Sequence, residues 1–229
     1  MNDFLRRAWN AMRRRMWCAY GTLFPAYYSK RSMRSNMKRS HRCLEIGPGK
    51  ERIHGFETLN IVSGEHVDYI ADAAKRLPFP EDTFEIIYAS HILEHVPWYM
   101  AQDVLTEWVR VLAPNGHLEI CVPDGVKICK AFVDAEVNGI SPFENDPWYR
   151  LNEEKDPCKW ASGRLFTWGD GTGDPSHPNW HRAVFSERYL RLLLGNAGLS
   201  NISRLDRAEI RGYDHGWINL GMKGTKKHA

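Results

Sequence analysis

Short apolar runs broken at near-regular intervals by glycine, proline and polar clusters dominate the middle of this chain. Apolar strand patterns run over Cys43 to Ile46, Thr58 to Val62, Val67 to Asp72, Phe84 to Ser90 and His117 to Pro123. Between them stand helical or loop segments, and that alternation predicts a mostly parallel sheet with helices on its faces. From Trp98 to Leu112, Tyr99, Val104, Leu105, Trp108, Val109 and Leu112 recur at helical spacing, ahead of the Pro114-Asn115-Gly116 turn. A second helix is predicted to start at a Ser186 cap and run to about Ala197, with Tyr189, Leu190, Leu193 and Leu194 inward and Gly198 just beyond its end. Ile202 to Ile210 and Gly216 to Met222 then read as a closing antiparallel hairpin. Residues 124–185 are the least regular stretch.

Where the first run ends, Cys43-Leu44-Glu45-Ile46-Gly47-Pro48-Gly49 passes from a buried strand into a turn of two glycines around a proline. Glycine lets a backbone approach a ligand without an intervening Cβ, and open α/β sheets bind ligands at the carboxyl ends of their strands. A dinucleotide fingerprint would need a third glycine where Arg52 stands, so a nicotinamide site is disfavoured.

At 229 residues the chain suits one α/β domain with appendages. The expected division is a leader, residues 1–42, and a domain, residues 43–229, carrying a lid or insertion around residues 125–185. The five cysteines include no C-x-x-C pair, which suggests a reducing compartment and no structural zinc. No metal is expected: His91 and His95 are four apart but lack an evident third ligand, and Asp170, Asp174, His177 and His181 match no ligand spacing.

The net charge of +3 conceals an asymmetry, because residues 1–42 hold eleven Lys or Arg and one acid, Asp3. Phe4, Leu5, Trp9, Met12, Met16, Trp17, Tyr20 and Phe24 recur among those arginines at helical spacing. Such a basic amphipathic segment suits an anionic membrane surface, or a helix packed on its own domain; nucleic acid is a weaker option. With no long apolar run, the expected location is cytoplasmic, at most peripheral to the inner face of the cell membrane.

Leu77-Pro78-Phe79, Asp82-Thr83-Phe84, His91-Ile92-Leu93-Glu94-His95 and Arg110-Val111-Leu112-Ala113-Pro114-Asn115-Gly116 follow the glycine turn in order. In this joint pattern, over residues 43–124, the chain resembles the class I S-adenosylmethionine-dependent methyltransferases, especially their type 11-like branch. The resemblance implies a Rossmann-like seven-stranded, mostly parallel sheet with a C-terminal antiparallel hairpin. It also implies S-adenosylmethionine as cofactor and S-adenosylhomocysteine as product.

Carried over residue by residue, the resemblance puts Gly47, Pro48 and Gly49 under the methionine and ribose parts of the cofactor, with Glu45 orienting the loop or its ligand. Asn60, with Ile61, stands where the family normally has an acidic ribose ligand. Asp72 matches the residue that holds the adenine amino group, with Ala71 and Ala73 against the ring. Ser90 and His91 fall at the methionyl end.

For a hydroxyl acceptor, the best candidate general base is His181, in Asn179-Trp180-His181-Arg182-Ala183-Val184-Phe185, with His95 as a second catalytic candidate. The competing reading is that His181 only anchors its loop. Phe143, Trp148, Tyr149, Trp160, Phe166, Trp168 and Trp180 are interleaved with Asp146, Asp156, Asp170 and Asp174. Aromatic faces and carboxylates together suit a polyhydroxylated ligand, although the rings can equally form a local core. Trp168, Asp174, His177, Trp180 and Arg182 are the substrate-binding candidates. The function expected is an O-methyltransferase acting on a sugar hydroxyl of a glycan or glycolipid intermediate in surface-polysaccharide assembly. The alternatives are an RNA or protein methyltransferase, or an S-adenosylmethionine-binding module without activity.

Overall fold

The computed structural model describes residues 9, 12, 16, 19, 23–148, 150–169 and 171–227. Most of the leader's helical pattern, Tyr149 and Asp170 therefore lie outside the described residues. Each apolar run forms the strand expected of it: β1 is Cys43–Ile46, β2 Glu57–Asn60, β3 Tyr69–Ile70, β4 Phe84–Ser90, β5 Leu112–Pro123, β6 Leu199–Arg204 and β7 Asn219–Lys226. They make one sheet in the order β3-β2-β1-β4-β5-β7-β6, parallel from β3 through β5, with β7 antiparallel to both neighbours.

Element boundaries depart from the sequence pattern in three places. β2 stops at Asn60, with Ile61 and Val62 exposed beyond the last paired residue, and β3 is only Tyr69–Ile70, so both are shorter than or offset from the apolar runs that signal them. The closing hairpin is shifted, since β6 begins at Leu199 and β7 runs on to Lys226. Finally, Leu112 already pairs with Phe84 and His117 with Ile86, so residues 113–116 bulge opposite Glu85 instead of separating helix from strand.

The helices are α1 (Pro25–Asn36), α2 (Ala101–Val111), α3 (Gly125–Asn138), α4 (Pro157–Phe166) and α5 (Glu187–Asn196). Trp108 of α2 is fully buried, and its indole N–H donates to the Ala73 carbonyl at 3.0 Å. Ser186 caps α5 by accepting from the Tyr189 N–H at 3.2 Å.

α1 lies in the second half of the basic leader and docks on β3 at the sheet edge. Ser29 Oγ accepts from the Ile70 N–H at 3.0 Å, and Tyr28 donates to the Val67 carbonyl at 2.8 Å. Asn36 donates to Tyr69, and Tyr69 and Arg42 both donate to the buried Glu57 carboxylate at 2.5–2.9 Å. A carboxylate removed from water needs such partners, and this chain of bonds ties α1 to β2 and β3. Among the described residues, Trp9, Met12, Met16, Leu23 and Phe24 are exposed, and no helix is long and apolar enough to cross a membrane.

A second, smaller core draws on residues 128–165 together with Trp217 and Ile218. Trp160 of α4 is fully buried with Ile128, Ala161 and Ile218, and it stacks parallel to Trp217 with ring centres 6.2 Å apart. The Asp146 carboxylate accepts from the Trp160 indole and from both arms of Arg164 at 2.5–3.0 Å. Asp156 caps α4. Trp160 thus belongs to a local core, the competing reading of these rings, and Asp146 and Asp156 have structural partners.

Candidate functional site

The strand order changes direction between β1 and β4, and there the carboxyl ends of adjacent strands open a crevice. On the β1 side, Gly47 adopts a φ of +71° and its N–H donates to Leu59 at 2.8 Å. A side chain at Gly47 would run into Ile92, whereas Gly49 has open space where a Cβ would stand. Pro48 between them is buried. Glu45 braces the loop by accepting from the Ile53 N–H at 2.8 Å, and burial pushes its carboxyl above the usual carboxylate range.

At the end of β2, Asn60 accepts from the N–H of Ile61 at 2.8 Å. After β3, Asp72 Oδ1 accepts from the Ala74 N–H at 2.9 Å, while Oδ2 faces Lys75 at 3.7 Å. Ala73 packs against the core. At the end of β4, the Ser90 hydroxyl is buried without a hydrogen-bond partner.

Immediately beyond Ser90 the backbone turns sharply. His91 takes a φ of +54°, uncommon for a residue with a Cβ, while its N–H donates to Cys121 at 2.8 Å. The turn lets Leu93–His95 form one turn of 3-10 helix, with Leu93 driven into the core and Glu94 carried inside beside it. The Glu94 carbonyl accepts from the N–H groups of Arg182 and Ala183 at 2.7 and 3.2 Å, and the Arg182 carbonyl accepts from Trp98. Phe185 completes the strap by bridging to Asp124 at the start of α3. In this way the segment around His181, distant in sequence, is fastened against the turn that follows β4.

Four imidazoles and one carboxylate meet there. His91 Nδ1 lies 3.1 Å from Glu94 Oε1, and its Nε2 hydrogen-bonds Asn219 Oδ1 at 3.2 Å. His215, from the turn before β7, stacks on His91 with ring centres 3.5 Å apart. His95 and His181 meet edge to face at 5.0 Å, and His181 Nε2 stands 3.9 Å from Glu94 Oε1. Glu94 is 1% exposed, yet neither carboxylate oxygen receives a well-aligned hydrogen bond. Burial works to raise its pKa, but His91, with His95 and His181, outweighs burial and holds the carboxyl below its ordinary range. Burial also pushes His181 down to about 4, against the pull of Glu94, so its ring is neutral at pH 7.

These groups face a cavity of about 240 Å³ whose other walls include Trp148, Trp168, Arg164 and Asn179. Trp148 reaches it because Gly163 presents no side chain; a Cβ there would strike the indole ring. Of the sequence candidates, His91, His95, His181 and Trp168 are brought together. Asp174, His177, Trp180 and Arg182 are not on the lining and instead knit the adjoining loop. Trp180 donates to the Asp174 carbonyl at 2.7 Å, Arg182 to Pro175, and His177 accepts from Asn179. Sequence reasoning did not single out Glu94 or His215. An acid enclosed by apolar neighbours between two histidines was a signal for the first; nothing local marks the second.

Strand order, glycine turn and the polar groups at the ends of β1 through β4 define a class I methyltransferase fold. Residues 31–120, about two fifths of the chain, match the methyltransferase-domain family. The chain is 34% identical over 83 residues to a demethylmenaquinone methyltransferase from Anoxybacillus flavithermus, a match covering 36% of this chain and 30% of that enzyme. The chain thus spans about a third of the length of that curated relative. Among solved structures, a possible histamine N-methyltransferase from Thermotoga maritima aligns with a TM-score of 0.47 at 18% identity, covering 98% of both chains. A methyltransferase from Archaeoglobus fulgidus gives 0.47 at 14% identity, covering 90% of this chain and all of the other. S-adenosylmethionine is the family's cofactor, and the open space at Gly49 and the unpartnered Ser90 hydroxyl fit a ligand at this crevice.

Proposed function

We propose that the protein transfers the methyl group of S-adenosylmethionine to a hydroxyl of a sugar, in a glycan or glycolipid intermediate of surface-polysaccharide assembly. The observation that carries this reading is the cavity beyond β4, where two indoles, Trp148 and Trp168, stand beside a buried cluster of imidazoles and one carboxylate. Indole faces cover the apolar faces of a sugar ring, and imidazole and carboxylate groups handle a hydroxyl and its proton.

In this reading Gly47, Pro48 and Gly49 pass beneath the cofactor, Asn60 and Ile61 border its ribose, Asp72 and Ala73 hold its adenine, and Ser90 and His91 its methionyl end. When bound, the cofactor supplies an electrophilic methyl on a sulfonium. The protein's own work is to align the acceptor, exclude water and manage the hydroxyl proton. His181 at about 4 is neutral at pH 7 but a weak base by itself, and general-base efficiency is best near the operating pH. We therefore assign acceptor activation to Glu94, His95 and His181 as one unit. The basic leader is assigned to an anionic membrane surface beside which a lipid-linked acceptor would be met.

Similarity to a demethylmenaquinone methyltransferase favours a small-molecule acceptor over RNA or protein. The test is a labelled-methyl assay with sugar nucleotides, lipid-linked glycans, a demethylated quinone and RNA side by side. Label entering the glycans is the expected result. Label in RNA alone or in the quinone alone overturns the acceptor assignment, and cofactor binding without transfer to any of them identifies an inactive binding module.

A further inference from the structure

We propose that Glu94, His95 and His181 bind a divalent transition-metal ion. One potential ligand atom from each lies within 4.8 Å of the others, and all three residues line the same cavity. The independent observation is Glu94 itself. Its side chain is 1% exposed, its Oε2 has no hydrogen-bond partner and its Oε1 meets only His91, without good alignment, and a buried carboxylate left so is costly unless a cation meets it. His91 approaches one oxygen at 3.1 Å and leaves the other unmet.

The ring environments suit the role. His95 Nδ1 is 3.3 Å from the Trp180 carbonyl, and a proton donated there leaves Nε2 with its lone pair outward. The His181 ring is neutral, as a ligand must be, and its Nε2 stands 3.9 Å from Glu94 Oε1. Metal bonds of about 2.0–2.2 Å would draw the three donor atoms closer than they now stand, a movement within reach of side-chain rotation. Two imidazoles and one carboxylate form a borderline donor set that favours Zn²⁺, Fe²⁺, Co²⁺, Mn²⁺ or Ni²⁺ over Mg²⁺ or Ca²⁺, which prefer all-oxygen shells. Three protein ligands leave coordination positions open toward the cavity. Resting on the acceptor reading above, those positions would take the sugar hydroxyl oxygen, and the ion would make that hydroxyl more acidic. Ion binding itself does not depend on that reading.

The experiment uses the full chain without a histidine tag, stripped with a chelator and titrated with Zn²⁺ and with Co²⁺. Calorimetry and elemental analysis read stoichiometry, and the visible spectrum reads Co²⁺ coordination. One ion per chain is expected, with nitrogen-and-oxygen coordination bands for Co²⁺. His95→Ala and His181→Ala should each weaken binding by at least about a hundredfold, in line with the loss of one of three ligands. Glu94→Gln should do the same, and if it fails to fold the two histidine variants carry the test. His41→Ala, at an exposed histidine paired with Glu85, should leave ion binding unchanged. No stoichiometric binding, or full binding retained in both histidine variants, overturns the proposal. S-adenosylhomocysteine binding is measured on the same samples. Protein that binds this product but no ion sinks the metal site alone, whereas protein that binds the ion but methylates no sugar supports the metal site and sinks the acceptor reading.

Discussion

Replacing Gly47 by alanine tests whether the turn after β1 is fixed by backbone geometry and close packing. At a φ of +71°, an L side chain brings Cβ against its own carbonyl, at a cost of about 1–2 kcal/mol. The new Cβ would also overlap Ile92 Cδ1 and stand 2.5 Å from Cγ1. Ile92 packs against the main core, so displacing it adds an overpacking cost of about 1–3 kcal/mol. Together these give a loss of about 2–5 kcal/mol in unfolding free energy. The two contributions separate in a double-mutant cycle. In an Ile92→Ala background the obstruction is gone and only the backbone strain remains, so Gly47→Ala there should cost about 1–2 kcal/mol. Urea unfolding followed by tryptophan fluorescence, on all four proteins of the cycle, measures both values. A wild-type-background loss below about 1 kcal/mol, or equal losses in the two backgrounds, would refute the reasoning.

Asp72→Asn keeps an acceptor for the Ala74 N–H but removes the charge, and should weaken S-adenosylhomocysteine binding about tenfold by calorimetry, roughly 1.4 kcal/mol; unchanged affinity removes the adenine assignment. Arg164→Met leaves the buried Asp146 carboxylate without its bidentate partner and should destabilise the protein by about 3–5 kcal/mol in thermal or urea unfolding. A loss under 1 kcal/mol would mean that Asp146 finds other partners. Glu107 is held below its ordinary pKa of 4.5, mainly by hydrogen bonds from Arg110, with burial opposing and the Leu77 N–H assisting. The unfolded chain therefore takes up that proton at higher pH than the folded one. The contribution is fully present above about 4.5 and is lost as pH falls through the lower folded value. Glu107→Gln should flatten this acid limb of a stability-against-pH curve, and an unaltered slope would show that other carboxylates dominate it.

Local sequence determined the elements themselves. Short apolar runs between turn residues placed β1, β4 and β5, and apolar residues at helical spacing placed α2 and α5, because each such pattern can be buried in only one conformation. The glycine turn was equally legible, since a positive φ and a close neighbour both exclude a side chain at Gly47. Ser186 and Gly198 marked the ends of α5 through bonds made within a few residues. What lay beyond the sequence was which polar residues end up inside and beside whom. Asp146 and Asp174 look alike in the chain, yet the first is buried on Arg164 and Trp160, while the second is exposed on a loop. Glu94 became a buried, unmatched carboxylate because Leu93 pulls its turn into the core and the strap from His181 to Phe185 closes over it. His215 reached His91 from the turn before β7 because β7 lies antiparallel between β5 and β6. Burial and cross-chain partnership are sums over the whole packed molecule, so no short window of sequence contains them.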